Sequence, residues 1–164
     1  MIINTPLVIL MCIVFILVFL FVKTIDKRKW LTILVSLLIT PIVYFYAAYP
    51  MINIFTNYHH QKHFVSETWK EKPTLRYELS DDMIQSKALI GKSKVEVEAL
   101  LGAYEWLTWN DSKKNHDTNK WNYSLGIEPG AFNTNKECIE IVFKDDYAVA
   151  INPYKEAIKF DDKE

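Results

Sequence analysis

Residues 89–102 read Leu-Ile-Gly-Lys-Ser-Lys-Val-Glu-Val-Glu-Ala-Leu-Leu-Gly, and they carry the clearest local signals in the chain. Ser93 with Glu96 three residues later forms a capping box, in which each residue satisfies a backbone donor that a helix start leaves open. Val97, Leu100 and Leu101 then supply one apolar face, and Gly102 is a C-terminal stop. The spacing predicts a short helix over 94–101. Upstream, Lys72-Pro73 breaks the chain, and Leu79, Met83 and Ile84 recur at helical spacing among polar residues. A first helix over 74–87 follows from that period.

Downstream of Gly102 the period falls to two. Trp121, Tyr123 and Leu125 alternate with Lys120, Asn122 and Ser124. Ile139, Ile141 and Phe143 alternate with Cys138, Glu140 and Val142, and Lys144-Asp145-Asp146 then turns into Tyr147, Val149 and Ile151. These are half-buried antiparallel strands, the last two joined as a hairpin. Trp106, Leu107 and Trp109 make a further strand, separated from Trp121 by the polar stretch 110–119. The expected fold class is α+β, with two short helices packed on a three- or four-stranded antiparallel sheet over residues 73–155 and a charged tail over 156–164.

The other end of the chain is of a different kind. From Leu7 to Val22 the run is apolar except for the thiol of Cys12, and Trp30 to Tyr49 carries no charge before Pro50. About twenty helical residues cover the roughly 30 Å hydrocarbon layer of a bilayer. Residues 1–50 are therefore expected to be a transmembrane helical hairpin with spans at about 2–22 and 30–49. A cleavable leader needs a basic start and a small-x-small site, and neither is present before Lys23, so the first span is expected to stay uncut. Ile9-Leu10-Met11-Cys12 lacks the features of a lipoprotein signal for the same reason, with Met before Cys. Trp30 at one end of the second span and Tyr44, Phe45, Tyr46 and Tyr49 at the other suit two interfacial girdles. Pro41 removes a helical hydrogen bond and should kink that span, with Thr40 and Ser36 available to bond freed carbonyls.

The connector Lys23-Thr24-Ile25-Asp26-Lys27-Arg28-Lys29 packs four cations into seven residues. By the positive-inside rule it is cytoplasmic, which puts the C-terminal domain outside the cytoplasm of a protein of the cell inner (cytoplasmic) membrane. Of 19 Lys/Arg and 20 Asp/Glu, four and one lie in the first fifty residues, so the remainder is net acidic and no nucleic-acid partner is expected. The lipid bilayer is the first partner this reading implies. Two cysteines, one in each half, give no disulfide framework and no metal spacing.

Residues 51–72 mix apolar and polar groups, and suit a continuation of helix or an interfacial linker. His59 and His63 would share a face of such a helix, with Glu67 one turn on, and His60 beside them. Zinc sites use that spacing when further ligands close the set. No further ligand does so here, and solvated interfacial histidines are the simpler reading. Asp81-Asp82 point apart on a helix, and Asp145-Asp146 occupy a turn, so neither suits an acid–base pair. His116 has Asp111 and Asp117 nearby in its loop, yet such loop residues are usually just exposed. With four glycines in the chain, no phosphate cradle forms, and no GxSxG is present. No catalytic residue, metal ligand or cofactor site is expected. Trp106 and Trp109 differ in strand parity, so both cannot enter one core; one of them is expected on an interaction surface.

The run from Leu89 to Gly102, followed by Trp121-Asn122-Tyr123-Ser124-Leu125-Gly126 and by Ile139 to Val149, resembles the SmpA/OmlA (BamE-like) domain, over about residues 75–152. That resemblance implies helix, helix and antiparallel strands, a fold shared with the repeats of β-lactamase inhibitor protein. It also implies a non-catalytic domain of the bacterial envelope that works through protein or lipid contacts. The chain departs from the family in using two helices instead of a lipidated Cys, in Ala103-Tyr104 where Pro is usual, and in Asp146 where the hairpin turn has Gly. The expected function is a membrane-anchored envelope protein with an interaction domain; the alternative is an accessory subunit of a larger membrane enzyme or transporter.

Overall fold

The computed structural model describes residues 1–158 of the 164, so most of the charged tail over 156–164 lies outside the described residues. The chain divides into two compact units. The first comprises Met1–His60 with Pro129–Phe132, and the second runs over Gln61–Glu128 and from Asn133 onward.

In the first unit, helix α1 spans Thr5–Ile25, with the Asn4 side chain accepting from the Leu7 N–H at 3.1 Å and proline in its first turn. Helix α2 spans Lys29–Val43, passes into a π-helical segment Tyr44–Ala48, and continues as α3, Tyr49–Phe55. Both α1, with 21 residues, and the unbroken rod Lys29–Phe55, with 27, are long and apolar enough to cross a membrane. The helix runs on past Pro50 to Phe55, the continuation that is one of the two readings of residues 51–72. A proline inside a helix clashes with the carbonyl four residues back. Here the ladder loosens just before it, where the Tyr49 N–H bonds the Tyr44 carbonyl in the wider π spacing, and Pro50 enters as the first turn of α3.

The basic connector is shorter than expected. Lys23 belongs to α1 and Lys29 to α2, which leaves Asp26, Lys27 and Arg28 as the turn. Asp26 accepts from the Arg28 backbone N–H at 2.8 Å and from its guanidinium, and that contact holds the Asp26 carboxyl below the usual carboxylate range. Val14, Val18 and Val22 of α1 are buried, as is a row spaced by four on the rod, Thr32, Ser36, Thr40 and Tyr44. Small side chains in such a row let helix backbones approach closely. Thr40 Oγ1 bonds the Ser36 carbonyl at 2.7 Å, whereas Ser36 Oγ is buried without a partner among the described residues.

The second unit is α+β. It contains α4 (Ser66–Glu71), a 3-10 turn (Pro73–Leu75), α5 (Tyr77–Gln85), α6 (Lys94–Leu101) and a four-stranded antiparallel meander. The strands are β1 (Trp106–Asn110), β2 (Asn115–Gly126), β3 (Asn135–Lys144) and β4 (Tyr147–Ala157), in that spatial order. Helix α6 has the bounds that its signals predict, with both halves of the Ser93/Glu96 capping box formed. Helix α5 is shorter than 74–87, because Pro73 starts a 3-10 turn and Lys87 takes a positive φ of 54°.

One sheet face packs against the helices. Met83 of α5, Val97 and Leu101 of α6, Tyr123 of β2 and Ile139 and Ile141 of β3 are all at or below 1 % exposure. Trp69 joins them at 0 %, edge-on to Tyr123 at 6.3 Å between centroids, so the later part of the 51–72 stretch is folded structure, not a linker. Its entry is held by α5: the Phe64 N–H donates to Asp82 at 2.8 Å and Lys62 pairs with Glu78. Arg76 clasps the same region. Its Nε donates to the Trp69 carbonyl at 2.9 Å, its guanidinium lies over the Trp69 ring, and Nη1 reaches Glu105 and the Ser124 carbonyl. Gly126 has φ +97°, and a Cβ there would lie 2.2 Å from the Thr74 carbonyl oxygen, so only glycine closes β2 against that turn.

Candidate interaction surface

Alternation along the strands assigns every second residue to the sheet face away from the helices. On β2 these are Lys120, Asn122 and Ser124; register then sets Glu140 opposite Asn122, Asn152 opposite Glu140, and Tyr154 opposite Cys138. On β1, Trp106 pairs with Asn122 and Leu107 with Trp121, after which the register shifts before Trp109 pairs with His116. Between those pairs β1 has only Thr108 whereas β2 has residues 117–120, so the irregularity lies on β2. Trp106, Thr108 and Trp109 line one hollow of about 560 Å³ together with Asn122, Glu140 and Tyr154. The structure thus brings the two tryptophans to the same surface, although simple parity separates them. Neither belongs to the buried core.

Beneath the tryptophans runs a connected polar network. Tyr154 Oη donates to Asn122 Oδ1 at 2.9 Å, Asn122 Nδ2 donates to Thr108 Oγ1 at 2.9 Å, and Thr108 Oγ1 donates to Glu140 Oε1 at 2.7 Å. Lys120 Nζ lies 3.6 Å from the same carboxylate. Asn122 is only 2 % exposed, an amide buried on the solvent side of a sheet, and its oxygen and nitrogen are both satisfied. At one rim the Lys136 ammonium sits 4.8 Å above the Trp106 ring and 3.4 Å from Glu156. Burial raises the Tyr154 phenol well above its ordinary range, so it remains a neutral donor. Burial likewise pushes the Cys138 thiol up to about 11, which keeps it protonated and unreactive at neutral pH. The arrangement offers aromatic faces, fixed amide and hydroxyl groups and paired charges. Those are the groups through which a protein surface makes contacts.

The remaining titratable residues singled out by sequence have separate duties. No helix covers 56–65, so the four-residue spacing of His59 and His63 does not put them on one face. His60 Nε2 lies 2.9 Å from Tyr44 Oη, and its ring stacks on Tyr49 at 4.2 Å. His63 Nδ1 lies 3.2 Å from Asp82. Glu67 is in α4, and no group of three His, Cys, Asp or Glu suited to a metal ion occurs among the described residues. Asp81 accepts from Gln61. His116 pairs with neither Asp111 nor Asp117. Strand β2 begins earlier than the polar composition suggests, and its register stands the His116 ring edge-on to Trp109 at 5.2 Å.

Asn122, Thr108, Glu140 and Tyr154 were not legible as a site. Each looks like an ordinary solvent-side strand residue until cross-strand register stacks them. Comparison with protein-family models, with curated proteins and with solved structures finds no match to this chain.

Proposed function

We propose that this chain is a protein of the bacterial cytoplasmic membrane, held by α1 and the rod Lys29–Phe55, whose α+β domain is a non-catalytic interaction module outside the cytoplasm. The observation that carries the reading is the outer sheet face, where Trp106 and Trp109 line one hollow over a satisfied polar network. Exposed aromatics on a rigid strand scaffold are typical anchors of recognition. Within residues 75–152, α5 and α6 precede the antiparallel meander, the order that the resemblance to the SmpA/OmlA domain implies, and this supports an envelope partner, protein or lipid. Orientation rests on the cations of Lys23, Lys27, Arg28 and Lys29 at the turn between the helices.

Photo-crosslinking in intact cells tests the surface. A photoreactive residue at position 109 should give a discrete adduct that vanishes when Trp106 is also changed to alanine, while the same residue at Val95 on α6 should not. Equal adducts at both positions would remove the reading. A C-terminal alkaline phosphatase fusion should be active, and an inactive fusion with a fluorescent cytoplasmic counterpart would invert the topology.

The second reading, an accessory subunit of a larger membrane protein, is favoured by a different feature. An apolar groove of about 690 Å³ runs beside the helix pair, lined by Leu7, Met11, Phe15, Leu37, Pro41 and Phe45. A partner helix fits such a groove. Mild-detergent purification should then recover a polytopic protein that is lost when the Lys29–Phe55 sequence is replaced by a generic apolar helix.

A further inference from the structure

Besides the two apolar helices, the first compact unit includes the segment Pro129–Phe132. Within that unit the Ala131 N–H donates to the Ile54 carbonyl at 3.2 Å. Ile54 lies in the last turn of α3, where helix carbonyls have no partner of their own. On either side of this bond the chain carries a large aromatic ring without cover: Phe55 is 75 % exposed and Phe132 is 81 % exposed. Met51, one helical turn before Phe55, is exposed as well. Leaving such rings in water forgoes about 1.5–3 kcal/mol for each.

The length of the rod indicates what covers them. Its 27 residues rise about 40 Å, close to the roughly 40–45 Å thickness of a bilayer that includes its headgroup layers. Trp30 near its start and Phe55 at its end then both lie at headgroup depth, one in each leaflet. Pro129, Gly130, Ala131 and Phe132 carry no charge, and the adjacent Glu128 carboxylate is 3.8 Å from Lys155. Nothing in the segment opposes entry into the headgroup layer that forms the membrane–water boundary, where aromatic rings are favoured.

We infer that Phe132, together with Phe55, inserts into this boundary, so that the segment Pro129–Phe132 is a third lipid contact beside the two spans. The inference rests on reading α1 and Lys29–Phe55 as spans. It is tested in the full chain reconstituted into lipid nanodiscs, with Cys12→Ser to remove the accessible thiol and a polarity-sensitive fluorophore on Phe132→Cys. Cys138 is fully buried and does not compete for label. Phe132 is exposed, so the substitution leaves the core intact. The expected emission is shifted to shorter wavelength relative to the same label on Lys113→Cys in the β1–β2 turn. Quenching by lipids bearing a nitroxide high on the acyl chain should be several-fold stronger at 132 than at 113. Water-like emission at 132 in a chain that resists extraction by alkaline carbonate overturns the inference and leaves the spans standing. Release of the chain by carbonate overturns the spans and the inference together.

Discussion

The two faces of one sheet use opposite means. Towards the helices, β2 and β3 present Tyr123, Ile139 and Ile141, whose contribution is apolar area removed from water. Away from them, the same strands present Asn122 and Glu140, whose contribution is a hydrogen-bond chain closed by Thr108 and Tyr154. The first arrangement tolerates no loss of volume. The second tolerates no loss of a partner, since a buried polar atom left alone costs more than the bond was worth. The inner face therefore contributes most to the stability of the domain, and the outer face fixes the shape of the hollow beside Trp106 and Trp109.

The largest effect should come from the inner face. Ile139→Ala removes a fully buried side chain and should lower stability by about 3–4 kcal/mol, seen as an earlier urea midpoint by tryptophan fluorescence of the detergent-solubilised chain. A change below about 1 kcal/mol would mean that the helices do not close that face as described. On the outer face, Asn122→Ala should cost about 1–2 kcal/mol, because it leaves the Tyr154 hydroxyl without its acceptor and removes the bond that Thr108 Oγ1 accepts, while Thr108 still donates to Glu140. Combining it with Tyr154→Phe should add less than the two single losses, the mark of a shared network.

The smallest effect is a slope against pH. Burial raises the Cys138 thiol from an ordinary value of 9.0 to about 11, so the folded state holds its proton longer than the unfolded chain. The stability from that group is complete below pH 9 and falls as pH climbs towards 11. Between pH 9 and 10, before unfolded tyrosines ionise, Cys138→Ala should flatten the decline of the urea midpoint. An unchanged slope would show that the thiol is not buried in solution.

Legibility in the sequence followed the distance over which each decision is made. Helix α6 is decided by Ser93, Glu96 and Gly102, all within ten residues, and its bounds could be stated in advance. The β3–β4 hairpin is as local: Asp145 and Asp146 take positive φ of 51° and 64°, the conformation a two-residue turn requires, without the glycine that usually marks it. Trp69 was hidden because its cover, Tyr123, lies far along the chain. The network around Asn122 was hidden for the same reason. Its closure depends on Tyr154, two strands away. The rod ran past Pro50 because strain relief by a wider turn is a property of the backbone, not of residue type.

That wider turn has a consequence for how the rod could have arisen and how it would respond to editing. A single π turn is a helix carrying one residue too many, and everything after it is rotated by about 100° relative to an uninterrupted ladder. Tyr49, Pro50 and Phe55 occupy their faces only by virtue of that phase slip. Deleting one residue from Tyr44–Ala48 would restore a regular ladder and swing the Tyr49 ring off its stack with His60. The segment acts as a clutch in the helix, through which the seam against α1 and the ring stack beyond it keep their own phases within one continuous rod.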